Sequence, residues 1–249
     1  MSVTLDRIDV HVTDPEKARA FYTSVFRLPA ASPGAALELH GAGSLATTGR
    51  SPREAAGLVV VNYVVAQPSD VTQIVDAAAA AGAEVLRPPK KGFFGGFAGS
   101  FRSPDGTIWK VSAPKKKDTA TASSPPLPTE IVLLLGVTDV AASRRFYEGL
   151  GFTVDRDYGS KFVDFAFRAP AFRLGLMPRK ALARDVGGVL ADTTTADGGI
   201  TLVSRQDTPE AARRLTETAR AQHPDRRAEG ASTGDVFTDP DSIAWAVTH

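Results

Sequence analysis

The sequence predicts an α+β protein built from two tandem copies of one domain, each copy containing a strand-helix-three-strand unit twice. Three observations predict it. The stretch PKKKDTATASSPPLP at 114–128 has the composition of an extended, solvated linker and divides the 249 residues almost in half, leaving domains at 1–113 and 129–249. The phrase VTDPEKARAFY at 12–22 returns as VTDVAASRRFY at 137–147. Finally, SPDGTIWKV at 103–111 returns as DPDSIAWAV at 239–247, with the proline, an aspartate, the tryptophan and the valine in step.

Each element has a local cause. Ile8, Val10 and Val12 alternate with Arg7, Asp9 and His11, the period of a half-buried strand. Asp14 is a good N-cap, Pro15 suits the first helical position, and Ala18, Phe21, Tyr22 and Val25 then fall three or four apart as one apolar stripe. Strands follow around 36–40 and 43–48, and VVVNYVV at 59–65 opens the second unit. Val71, Ile74, Val75 and Ala78 predict a helix over 69–81 that Gly82 stops, with strands at 83–87, 98–102 and 107–112. In the second half, 131–137 is a nearly continuous apolar strand, a helix covers 139–150, and 162–168 with 172–177 read as hairpin partners. Residues 178–199 read as a long loop. A strand at 200–204, a helix capped by Thr208 with Pro209 in its first turn, and the strand carrying Trp245 complete the chain.

Composition narrows the chemistry. Lys and Arg number 29 against 28 Asp and Glu, a formal charge of +1, so neither nucleic acid nor an anionic membrane is expected as a partner. The absence of cysteine excludes disulfides, thiolate nucleophiles and cysteine-ligated zinc, and leaves His, carboxylate or amide groups for any metal. The opening MSVTLDRIDVHV lacks the basic region and apolar run of a signal peptide, and no stretch approaches the roughly eighteen apolar residues that span a bilayer. The expectation is a cytoplasmic protein.

VTD ahead of a helix bearing FY, and PDG ahead of a strand bearing Trp, both twice over, resemble the vicinal oxygen chelate superfamily, the glyoxalase, bleomycin-resistance protein and extradiol dioxygenase group. The segment GFFGGFAGSFRSPDGTIWKV at 92–111 is especially similar to its glyoxalase-like members, and the likeness spans both halves. The resemblance implies that each half forms a curved eight-stranded sheet around a cavity with helices outside, and that the halves make an internal pseudo-dimer. It also implies, for catalytic members, a divalent metal held by His, Gln or Glu early in the first strand, at the equivalent place in the fifth, and just after the last-strand tryptophan. Those positions are Arg7, Val60 and Lys110 in the first half, and Val132, a residue near Ile200, and Ala246 in the second. A divalent ion needs converging lone pairs, and a protonated lysine or arginine has none to give. No metal and no other cofactor is therefore expected. Lys110 reads as a fixed cation in the metal's place, able to hold an anionic or carbonyl-bearing ligand.

Alternation directs Arg7, Asp9 and His11 towards the first cavity, near Lys110 and Asn62. As a binding set they orient a ligand; as plain structure they are a polar strand face with an ion pair. His11 steered by Asp9 is the candidate general base. Phe93, Phe94 and Phe97, set among glycines, are candidate rings of a lid over an aromatic ligand, or else core rings of a glycine-bulged strand. Trp109 and Trp245 read as core beneath the helices, and His40, His223 and His249 as surface.

The resulting expectation is a protein that binds a small aromatic or anionic molecule without a metal, in a sequestration or resistance role. Alternatives stay open: a metal-dependent glyoxalase-type lyase, isomerase or dioxygenase with ligands such as Glu38, His40 or Glu130; a metal-free enzyme using Asp9 and His11; or a scaffold. Turnover, and homodimer formation beyond the internal pseudo-dimer, also stay open.

Overall fold

A computed structural model describes residues 3–27, 57–92, 96–121, 124–167, 172–188, 199–223 and 235–249, together with the backbone of 37–38 and 44–48. The first unit comprises β1 (Arg7–His11), α1 (Pro15–Phe26), β2 (Leu37–Glu38) and β3 (Ser44–Thr48). The second comprises β4 (Leu58–Val64), α2 (Pro68–Ala80), β5 (Glu84–Lys91), β6 (Phe97–Arg102) and β7 (Ile108–Ala113). The third comprises β8 (Glu130–Val137), α3 (Val140–Gly149), β9 (Thr153–Asp157), β10 (Val163–Ala166) and β11 (Arg173–Pro178), and is followed by α4 (Arg179–Asp185). The fourth comprises β12 (Gly199–Arg205), α5 (Pro209–Gln222), β13 (Asp235–Thr238) and β14 (Ala244–Thr248). Helices start where the sequence marks them. Asp14 accepts from the Lys17 amide, Asp139 from the Ala141 and Ala142 amides, and Thr208 from the Ala211 amide.

The strands assemble across the halves. β4 pairs antiparallel with β8, from Leu58 opposite Gly136 to Val64 opposite Glu130. This joins the second and third units into an eight-stranded sheet ordered β5-β6-β7-β4-β8-β11-β10-β9. β1 pairs antiparallel with β12, placing Arg7 opposite Val203 and Asp9 opposite Thr201. The first and fourth units thereby form a six-stranded sheet ordered β13-β14-β12-β1-β3-β2. The α+β class, the repeated units and an eight-stranded sheet agree with the sequence reading, but the partnering differs, since neither half closes a sheet on itself. The sequences of β4 and β8, LVVVNYV and EIVLLLGV, are apolar on both faces and suit the central positions that this crossing assigns them.

Helices hold each half together. In the first half α1 reaches over to the second unit's strands, with Phe26 4.7 Å from Tyr63 and 4.6 Å from Trp109 between ring centroids. In the second half Tyr147 lies 6.0 Å from Trp245, and Phe146 6.3 Å from Phe237. Two buried hydrogen bonds complete the contact: the Tyr22 hydroxyl donates to Asp105 Oδ2 at 2.6 Å, and the Tyr147 hydroxyl to Asp239 Oδ2 at 2.7 Å. The recurring FY of the sequence and the recurring turn built around PD are thus the two ends of one joint, the helix of one unit locked to the turn of the next. Both tryptophans lie in the core, as expected.

The stretch 114–121 is exposed, yet anchored: the Thr119 amide donates to Gln67 Oε1 (2.8 Å), and Asp118 accepts from the amide and hydroxyl of Ser69, each at 2.9 Å. Among the described residues no helix is long and apolar enough to cross a membrane.

Candidate functional site

Each sheet buries one face under helices, and the polar and charged residues singled out from β1, β4 and β7 fall on the other faces. Those faces belong to different sheets. Arg7, Asp9 and His11 project from β1 in the six-stranded sheet, whereas Asn62 and Lys110, directly opposite one another on β4 and β7, belong to the eight-stranded one. The expected single cluster is therefore two. The cause is the crossed pairing, which takes β1 to β12 instead of to the strands of its own half.

On the six-stranded sheet, the Arg7 guanidinium grips Asp9 through Nε to Oδ1 at 2.6 Å and Nη2 to Oδ2 at 3.2 Å. The Arg7 side chain remains 39% exposed. One step along the strand, His11 Nε2 hydrogen-bonds Thr201 Oγ1 of β12 at 2.8 Å. Pairing register carries the same face across to Val203, then to Ala244 and Ala246 of β14, small residues that are partly exposed. Thr201 escaped the sequence reading because its importance comes from lying opposite Asp9, a relation that no local pattern encodes.

On the eight-stranded sheet the corresponding face is covered. Residues 179–185, read from the sequence as loop, form α4, and Leu182, Ala183 and Val186 are buried against Leu58, Val60, Ile108, Val132 and Leu134. Lys110 Nζ contacts Asp185 Oδ2 at 2.5 Å, and Arg87 Nη1 donates to the Asp185 carbonyl oxygen at 2.7 Å while lying 3.5 Å from its carboxylate. Ser100 Oγ donates to the Val186 carbonyl at 2.8 Å. So the anion facing Lys110 comes from the chain itself. Leu182 and Val186, four apart after Pro178, were the available sequence signal for this segment. Asn62 accepts from Ser112 Oγ at 2.9 Å.

The aromatic candidates divide differently. Phe97 alternates with Ala98 and Ser100 on β6, which puts it on the helix side of the sheet, away from Lys110. There it borders a surface cavity of about 590 Å³ with Thr72, Gln73 and Asp76 of α2 and with residues 116–118. Phe93 and Phe94 lie outside the described residues. His223 is half-buried rather than at the surface, and His249 is exposed.

The crossing also regroups the family's metal positions. Arg7, the region of Ile200 and Ala246 fall on one sheet; Val60, Lys110 and Val132 fall on the other. Neither set supplies converging lone pairs, so the residues at these six positions do not fit a divalent ion. Among the described residues no group of three or more His, Asp or Glu could hold a metal. Glu130 lies 3.3 Å from Arg173, whose guanidinium also binds Asp164 and Asp155. Burial raises the Asp164 carboxyl against the opposing pull of Arg173, while the hydrogen bond from Arg173 lowers that of Asp155. The Glu38 and His40 side chains lie outside the described residues.

The sequence model of the Glyoxalase/Bleomycin resistance protein/Dioxygenase superfamily matches residues 4–111 and 131–247. Among solved structures, glyoxalase I from Zea mays superposes with a TM-score of 0.59 at 17% identity, over 99% of this chain and 92% of that one. A putative dioxygenase from Bacillus subtilis subsp. subtilis str. 168 gives 0.60 at 12% identity, over 99% and 84%. At these identities the likeness establishes the fold alone. No curated protein matches the sequence.

Proposed function

Because the chain belongs to the Glyoxalase/Bleomycin resistance protein/Dioxygenase superfamily, we propose that it binds a small anionic or carbonyl-bearing molecule, without a divalent metal, against the Arg7–Asp9 pair of the six-stranded sheet. The carrying observation is the state of Arg7. Its side chain is 39% exposed, on the sheet face away from the helices, and its bonds to Asp9 use only two of its five N–H donors. With its Arg7 end open to solvent, the pair's attraction is discounted by screening and contributes about 1 kcal/mol or less to stability. The remaining donors form a planar fork suited to a carboxylate or carbonyl oxygen. The His11–Thr201 pair adds a hydrogen-bonding site beside it, and Ala244 and Ala246 give the ligand's body an apolar floor.

Two rival readings lose support. A metal-dependent lyase or dioxygenase lacks ligands among the described residues. A His11 base steered by Asp9 loses its steering group to Arg7. Sequestration, as in a resistance protein, is the role that binding without turnover serves.

The test is a thermal-shift screen of aromatic carboxylates on chelator-dialysed wild type and Arg7→Met. A ligand at about one hundred times its Kd stabilises the folded state by about 2.7 kcal/mol. The expected hit raises the wild-type melting temperature and loses that effect in Arg7→Met, whose unliganded melting temperature is little changed. Hits indifferent to Arg7, or stoichiometric metal with chelator-sensitive turnover, overturn the reading.

A further inference from the structure

We propose that α4 is a built-in ligand: residues 182–186 occupy a second binding face, on the eight-stranded sheet, that accepts apolar carboxylates, and keep it closed at rest. This face is separate from the one assigned above. Its chemistry is plain once α4 is set aside. Leu58, Val60, Ile108, Val132 and Leu134 make an apolar floor. At its edge Lys110 and Arg87, from β7 and β5, converge on the Asp185 carboxylate with side chains only 19% and 23% exposed. A hydrocarbon floor ending in two half-buried cations is a complementary mould for an apolar body with an anionic head. Leu182 and Val186 stand in for that body and Asp185 for the head.

The attachment is made for release. Seven residues are too few for a helix to persist without tertiary contacts, so α4 exists only while docked. It ends on Gly187 and Gly188 at φ +111° and +88°, backbone that favours glycine. A Cβ on Gly187 would stand 2.6 Å from the Leu86 carbonyl oxygen, so this seat depends on having no side chain there. Being tethered, α4 competes at high effective concentration, and a free ligand enters only when abundant or tight-binding.

The experiment uses the full chain with 2-naphthoate as probe and neutral 2-naphthamide as control. Gly187→Val forces a side chain against Leu86 and evicts α4; Asp185→Asn weakens the same docking without a steric insult, should the first variant fail to fold. Either variant is expected to bind 2-naphthoate about tenfold more tightly than wild type, because the competing segment is gone. The naphthamide should gain far less, and adding Lys110→Met should erase the gain. In wild type, high 2-naphthoate should speed tryptic cleavage after Lys180 and Arg184. All these measurements are repeated in an Arg7→Met background, where binding at the face assigned above is removed; the gain from evicting α4 should persist there, which separates failure here from failure of the reading above. No gain in a folded variant, an equal gain for the naphthamide, or a gain indifferent to Lys110 each overturns the proposal.

Discussion

Asp239 shows how much one residue can carry. Its carboxylate accepts from the Tyr147 hydroxyl and from the amides of Asp241 (3.0 Å) and Ile243 (2.8 Å), yet burial dominates and pushes its pKa up to about 7. The folded state therefore holds the proton more tightly than the unfolded chain. Between about pH 4 and about pH 7 folding takes up protons, so stability falls as pH rises, by at most about 1.4 kcal/mol per unit, and levels off above. Asp239→Asn should abolish this decline relative to wild type. Urea melts at about pH 5 and about pH 8 measure it; parallel curves for the two proteins would refute it. The turn that holds Asp239 offers a second test. Ser242 sits at φ +67° where its counterpart Gly106 has φ +91°, so Ser242→Gly should stabilise by about 0.5–1 kcal/mol, seen as a higher urea midpoint. The repeated motifs pointed to these residues, but not to their bonding. In the first half the turn's second acidic position, Asp105, takes the tyrosine; in the second half Asp239, the counterpart of Ser103, takes it.

At the scale of elements, α4 departs most from the sequence reading. Its seven residues are too short to display a helical period, and its stability comes from Leu182 and Val186 meeting a floor drawn from β4, β7 and β8. Leu182→Ala should cost about 2–4 kcal/mol in chemical denaturation, a core-sized penalty that a loop residue would not show. The longer helices were legible because caps and stripes are local: Asp14, Pro15 and the series Ala18, Phe21, Tyr22, Val25 suffice by themselves to mark out α1. Strands were legible by alternation or by apolar runs. Apart from the β10–β11 hairpin, their partners were not. A half-buried strand such as β1 matches many others in pattern, and only three-dimensional closure decides that Asp9 meets Thr201 and that Lys110 meets Asp185.

For the whole molecule, strands cross between halves, α4 docks across them, and the other helices bind within them, so the two halves are clasped rather than strung together. Trypsin should cut the exposed Lys115–Lys117 stretch of the folded protein, and the fragments should still co-elute in size-exclusion chromatography, parting only in denaturant. Separate elution in native buffer would contradict the β1–β12 and β4–β8 ladders. The two repeats announced four units, but the candidate site was only half legible because its residues were assigned to a half, not to a sheet. The clasp also governs how the protein is made. As the nascent chain leaves the ribosome, β1 emerges long before its mate β12, so one edge of that strand stays unsatisfied while all the elements between them are made.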